Sequence, residues 1–273
     1  NGQNIALDFR EKAPGNAFKN MYLDSAGNAL PQLSKNGHLA NAVPGTVAGL
    51  FASLKYAKLP FKKLIAPAIK LAEKGFALTE AEAKSLNASK EDFLKYNNFT
   101  PVFVKKTPWK KGDILVQKEL AQTLNRISKY GINGFYRGIT AKYIVEDAAK
   151  NGGIITAEDL KNYTVKFRKP IQFSYKGYEI ITMPLPSSGG ILLRQMLGMV
   201  ESMNIAALQF QTPESVQLMV EAERRAFADR AEYMGDDDFV KVPLTTLMSD
   251  AYLQQRMKDY IPGKAGSSKL TGA

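Results

Sequence analysis

The chain has 273 residues, 45% of them hydrophobic, with 37 basic and 26 acidic side chains, one histidine and no cysteine. That length supplies a sizeable core for one large domain or two small ones, and the lack of cysteine excludes disulfides, thiol catalysis and cysteine metal sites while leaving the redox compartment open. No run of 18 apolar residues is present, so no transmembrane helix is expected, and the net charge of +11 is scattered over lysines with no dense basic run or aromatic RNA-binding motif, which favours a solvated basic surface over a nucleic-acid partner.

Residues 4–7 read as a short apolar strand, after which Asp8, Arg10, Glu11 and Lys12 turn the chain polar and Pro14 closes the segment. A guanidinium just beyond a buried strand is well placed to grip an anion, because its planar fork holds a carboxylate through two parallel charge-assisted hydrogen bonds. The plainer readings are an Asp8–Arg10 structural pair or an arginine facing solvent. Residues 15–43 are turn-rich, with a reverse turn at 24–28. His38, the only histidine, reads as a surface residue. A histidine metal cluster is impossible without a second one, and a pairing with a distant serine stays open.

Pro44-Gly45 opens a helix over 46–57 in which Gly45, Ala48, Gly49 and Ala52 make a small-residue face that admits another backbone. A second helical stretch starts at Phe61, turns Leu64, Ile65, Ile69 and Leu71 inward and ends at Gly75, with Pro67 marking the first turn of a new helix. Thr79 and Glu82 form a capping box ahead of a polar helix over 80–97. Residues 98–116 read as a loop holding Trp109, the only tryptophan. Sequons at Asn87, Asn98 and Asn162 would matter only in a eukaryotic secretory pathway. Leu120, Leu124 and Ile127 mark a helix that stops at Gly131, and another runs over 139–150 to Gly152-Gly153.

Thr156 starts a short helix, and strands are expected over 163–168, 171–175 and 178–183, where β-branched and aromatic residues concentrate. Pro186-Ser187-Ser188-Gly189-Gly190 then leads into an apolar helix over 191–200. Its free N–H groups could hold an anion, but the run is not the Gly-x-Ser-x-Gly of a nucleophile elbow, and a capped, tightly packed helix start is the favoured reading. Thr212-Pro213-Glu214 opens the longest helix, to about Met234, with Val216, Met219, Val220, Phe227 and Tyr233 as its apolar positions and Glu223, Arg224, Arg225, Asp229 and Arg230 available for ion pairs. Asp236-Asp237-Asp238 lacks the spaced ligand set of a calcium loop, so no metal is expected. A last helix follows Ser249, and residues 263–273 read as a flexible tail. Strands flanked by many helices give an α+β class.

The run Asp8-Phe9-Arg10-Glu11-Lys12-Ala13-Pro14 resembles a signature of the γ-glutamyltranspeptidases, and further matches follow in family order. They are Pro44-Gly45-Thr46-Val47-Ala48-Gly49, Lys111-Gly112-Asp113 with Val116-Gln117, Asn151-Gly152-Gly153-Ile154-Ile155-Thr156 with Glu158-Asp159-Leu160, Pro186-Ser187-Ser188-Gly189-Gly190, and Ala228-Asp229-Arg230 with Tyr233-Met234-Gly235-Asp236 and Asp238-Phe239-Val240. The resemblance covers roughly residues 4 to 260 and implies a partial large subunit over 1–273, with the tail near the self-cleavage junction. It implies the N-terminal-nucleophile hydrolase fold, a four-layer αββα sandwich completed by a small subunit cut from the same precursor. It also implies γ-glutamyl transfer from glutathione-like donors to water, amino acids or peptides, through an acyl-enzyme on a threonine of that small subunit.

On this resemblance Arg10 binds the donor's α-carboxylate, no catalytic residue lies in this chain, no cofactor or metal is needed, and the setting is periplasmic or secreted in a bacterium. The serine and glycine pairs that serve the family's chemistry belong to the small subunit, so those roles are not carried onto Ser187, Ser188, Gly189 and Gly190. A related amidase (a cephalosporin acylase or a poly-γ-glutamate transpeptidase) and, should the chain act alone, a non-catalytic basic binding protein are the alternatives.

Overall fold

The computed structural model describes residues 2–269 and 271–272. Leu270 and Ala273, both in the tail expected to be flexible, lie outside the described residues. The elements are β1 (Ala6–Asp8), α1 (Thr46–Ser53), α2 (Phe61–Lys74), β2 (Phe76–Ala77), α3 (Glu80–Ala88), α4 (Lys90–Tyr96), β3 (Ile114–Leu115), α5 (Lys118–Tyr130), α6 (Asn133–Tyr136), α7 (Gly138–Lys150), α8 (Ala157–Lys161), β4 (Lys166–Arg168), β5 (Ile171–Tyr175), β6 (Tyr178–Thr182), α9 (Gly189–Ser202), α10 (Pro213–Tyr233), α11 (Leu244–Leu247) and α12 (Asp250–Arg256). Helices and short strands together make a mixed α and β chain. The sheets among the described residues are two-stranded, and no helix there is long and apolar enough to cross a membrane.

The chain divides into two compact units, one of Asp8–Lys166 and the other of Asn1–Leu7 with Phe167–Ala273. The whole basic excess lies in the first, since the remainder carries equal numbers of basic and acidic residues.

In the unit Asp8–Lys166 the core gathers Val43, Ala48, Tyr136, Ala141, Ala148, Ile155, Leu160 and Tyr163. α2 runs unbroken through Pro67, so the expected new helix start does not occur. A mid-helix proline removes one N–H, and the remaining turns hold α2 together. Its inward stripe is Phe61, Ile65, Ile69 and Ala72, while Leu64 and Leu71 stay exposed, against expectation. The polar stretch after Thr79 is two helices rather than one, parted at Ser89. The loop expected over 98–116 contains β3, which pairs antiparallel with β2 through Phe76↔Leu115 and Ala77↔Ile114. Two-residue strands carry no readable alternation, so the pattern could not mark them.

α8 begins with a capping box. The Thr156 hydroxyl accepts from the Asp159 N–H at 3.2 Å, and Asp159 Oδ2 accepts from the Thr156 N–H at 2.8 Å. Thr156→Ala should cost about 0.5–2 kcal/mol, read as faster amide exchange at the start of α8. Unchanged exchange there would show that the cap contributes nothing.

In the other unit β5 and β6 form a hairpin with register Ile171↔Thr182 to Tyr175↔Tyr178. Ile171, Leu185 and Ile191 form one core cluster, and Leu192, Met199, Val200, Leu218, Ala222, Ala226, Leu253 and Met257 form another from α9, α10 and α12. On α10 several apolar positions do not face the core. Val216, Met219, Val220, Phe227 and Tyr233 are all exposed, while Leu218, Glu221, Ala222, Arg225, Ala226 and Asp229 are buried.

Charges can line that inner face because each finds a partner. Glu221 accepts from Arg225 Nη1 at 2.6 Å and Arg224 Nη1 at 2.7 Å. Arg225 Nη2 reaches Asp259 at 2.7 Å, and Asp229 accepts from Gln195 and Tyr252 and forms an ion pair with Arg256 at 3.1 Å. Beyond α12, Gln217 bonds the main chain of Ile261, Gly263 and Lys264, the Gly266 N–H donates to Glu221, and Arg256 donates to the Gly272 carbonyl.

Candidate substrate-binding site

β1 ends at Asp8, and Asp8 Oδ1 accepts a hydrogen bond from the main-chain N–H of Arg10 at 3.1 Å. The Asp8–Arg10 contact is thus side chain to main chain. The Arg10 side chain is exposed, and among the described residues its guanidinium enters no hydrogen bond or ion pair.

The backbone that carries it is held from several sides. Lys12 and Val43 exchange both main-chain hydrogen bonds, at 3.1 and 2.8 Å. Asp159 Oδ1 accepts from the Gly15 N–H at 2.7 Å. The Tyr163 hydroxyl donates to the Arg10 carbonyl at 2.6 Å. The small-residue face of α1 meets Phe9. A Cβ on Gly45 would lie 2.1 Å from the Phe9 carbonyl and 1.9 Å from the Tyr163 hydroxyl, and one on Gly49 would lie 2.3 Å from the Phe9 ring. The close backbone approach expected of that face is made, and its partner is the residue next to Arg10.

Tyr163 is itself fixed. Its ring stacks on Tyr136 at 5.6 Å with a 7° interplanar angle, and Lys12 Nζ lies 5.1 Å from its centroid. The Tyr136 hydroxyl donates to the Pro44 carbonyl at 2.7 Å and accepts from the Ala48 N–H, which ties the stack to the start of α1. Burial raises the pKa of both phenols. For Tyr163 the nearby Tyr136, Asp8 and Glu11 add to it, pushing it up to about 12, so its hydroxyl keeps its proton and donates at neutral pH. Asp159 ionises below the usual carboxylate range. Burial opposes this, but the bonds from Gly15 and Thr156 outweigh it.

His38 Nε2 lies 2.8 Å from Asp147 Oδ2, so among the described residues its partner is a carboxylate and not a serine. Ser188 precedes α9 without a side-chain cap, against the capped start expected, and its hydroxyl accepts from Arg230 Nε at 3.0 Å. The tight packing does hold, since a Cβ on Gly190 would lie 2.3 Å from the Met183 carbonyl. Asp236, Asp237 and Asp238 lie close together and exposed, and Arg168 binds the last two at 3.3 and 2.7 Å. That guanidinium already supplies the counter-charge a cation would bring.

The γ-glutamyltranspeptidase family profile matches residues 1–270. The chain belongs to that family. It is 44% identical over 255 residues to the glutathione hydrolase proenzyme of Escherichia coli strain K12, a match covering 92% of this chain and 44% of that protein, so the chain spans less than half of this relative. Among solved structures it is similar to the Helicobacter pylori γ-glutamyltranspeptidase, with a TM-score of 0.95, 48% identity, and coverage of 98% of this chain and 78% of that one. The Pseudomonas nitroreducens γ-glutamyltranspeptidase complexed with L-DON is similar at a TM-score of 0.92 and 36% identity, covering 97% and 79% of the two chains. For a γ-glutamyltranspeptidase, the motif run that contains Arg10 had drawn attention to that residue alone. Tyr163, Gly45 and Gly49 were not singled out as its neighbours, although all three lie in or beside the matching motifs.

Proposed function

We propose that this chain forms most of the large subunit of an enzyme that moves the γ-glutamyl group of glutathione and related compounds to water or to amino acids and peptides. The observation that carries this reading is Arg10, whose exposed guanidinium has no partner among the described residues and whose backbone is held at several points. Two of its N–H groups would hold the donor's α-carboxylate and so set the γ-amide at a fixed reach from that anchor. The basic excess of Asp8–Lys166 draws an anionic donor toward this part of the molecule.

On this reading a small subunit from the same precursor completes a four-layer αββα sandwich, and its N-terminal threonine is the nucleophile. The threonine hydroxyl adds to the γ-carbonyl, the threonine's own α-amine takes the proton, and the amine of the donor leaves. Water or an acceptor amine then cleaves the acyl-enzyme. Donors preorganised for the tetrahedral oxyanion supply the main electrostatic stabilisation, and they too belong to the small subunit. The setting is periplasmic or secreted in a bacterium, where extracellular γ-glutamyl compounds are met.

The test is to assay γ-glutamyl-p-nitroanilide with the complete gene product and with the 273-residue chain alone. The complete product is expected to cleave itself into two chains, the smaller beginning with threonine, and to release p-nitroaniline, while the chain alone is expected to be inactive. Turnover by the purified chain without a partner would overturn the proposal, and so would a complete product that neither cleaves itself nor uses the donor.

A further inference from the structure

An exposed arginine is useful as a specificity anchor only if its main chain stays put, because a flexible carrier spreads the guanidinium over many positions. The Tyr163 hydroxyl reaches across 153 positions of sequence to the Arg10 carbonyl, at 2.6 Å. Tyr163 is buried, and packing alone would be served as well by phenylalanine, since the ring already stacks on Tyr136. The hydroxyl's partner is the carbonyl of the anchor residue itself, and Gly45 leaves room for that contact where any side chain would collide with it.

We infer that Tyr163 is a positioning residue for donor recognition. By holding the Arg10 carbonyl, with Gly45 and Gly49 seating Phe9 beside it, Tyr163 fixes the direction from which the guanidinium meets the donor's α-carboxylate. This rests on the reading of Arg10 as the carboxylate anchor. Tyr163 touches no substrate and acts only through Arg10.

The experiment is Tyr163→Phe in the complete enzyme, with kcat and KM measured for a γ-glutamyl donor and for a donor lacking the α-carboxylate, alongside Arg10→Ala and the double variant. The loss of one intramolecular hydrogen bond predicts a roughly 2- to 10-fold loss in kcat/KM for the γ-glutamyl donor, carried by KM. The truncated donor should change by less than about twofold, and the melting temperature by no more than about 3 °C. In the Arg10→Ala background Tyr163→Phe should add no further loss, because its effect passes through a residue already removed.

Equal losses on both donors, or an undiminished effect in the Arg10→Ala background, would overturn the inference while leaving Arg10 as the anchor. If Arg10→Ala itself fails to discriminate the donors, the anchor reading falls and this inference goes with it. A second variant approaches the same segment from the opposite side. Gly49→Ala would press a methyl against the Phe9 ring. It is expected to give the same donor-selective rise in KM, and a non-selective effect would count against positioning.

Discussion

Arg10→Ala, made in the complete enzyme, should lower kcat/KM for a γ-glutamyl donor roughly 30- to 5,000-fold, the loss expected when one side of a desolvated charge-assisted pair is removed at about 2–5 kcal/mol. Among the described residues the side chain has no partner to leave behind, so the truncation should spare folding and act on the donor complex. Arg10→Lys should recover only part, since an ammonium cannot reproduce the two parallel bonds of the fork. Self-cleavage should stay intact, because that reaction breaks a main-chain bond and involves no donor carboxylate. A donor without the α-carboxylate is the control: the wild type should use it poorly and the variant no worse. Equal damage on both donors, or a variant that fails to cleave because it misfolds, would make Arg10 a structural residue.

Much of the fold could be read locally. Thr79 with Glu82, Thr212 with Pro213, and Ser249 each start the helix expected of them, because a capping side chain and the N–H it satisfies lie within one turn. What failed was facing. On α10 the usual amphipathic rule would turn the apolar residues inward, yet Phe227 is 53% exposed and Glu221 only 3%. The clue lay in a second spacing. Leu218, Ala222 and Ala226 repeat at i+4, and so do Glu221, Arg225 and Asp229. Ala222 and Ala226 let α9 approach closely, and the charges beside them are buried as a paired set.

The candidate site shows the same division. Arg10 is readable from its motif and Gly45 from its small-residue face. The Tyr163 bond to the Arg10 carbonyl joins segments 153 positions apart, a distance over which periodicity carries no information. On the proposed reading the nucleophile belongs to another chain, which would put the rest of the site's chemistry outside these residues.

Glu221→Ala should be the most destabilising of the changes considered, at about 3–5 kcal/mol, because it leaves a buried guanidinium short of its counter-charge. Glu221 and Arg225 are 3% and 4% exposed. Without Glu221, Arg225 keeps Asp259 and the main-chain carbonyls of residues 221 and 256, and the Gly266 N–H loses its acceptor. In the complete enzyme the melting temperature should fall at neutral pH, and by more than for any other variant considered.

The pH dependence follows from the direction of the shift. Burial acts to raise the Glu221 pKa, but the bonds from Arg225 and Gly266 and the charges of Arg224 and Arg225 outweigh it, leaving it below the usual value of 4.5. A lowered folded pKa means that the stabilisation is fully present above 4.5 and is lost as pH falls through the folded value. The gap between wild type and Glu221→Ala should therefore narrow on acidification below about pH 4.5. Asp229, on the same helix, shifts the other way: burial dominates over Arg256, Tyr252 and Gln195 and raises its pKa, so its ionisation weakens the fold as pH rises. Wild type and variant share Asp229, so their difference at each pH isolates Glu221. A gap that widens with acid, or no loss of melting temperature at neutral pH, would show that Arg225 is held by Asp259 and the main chain alone.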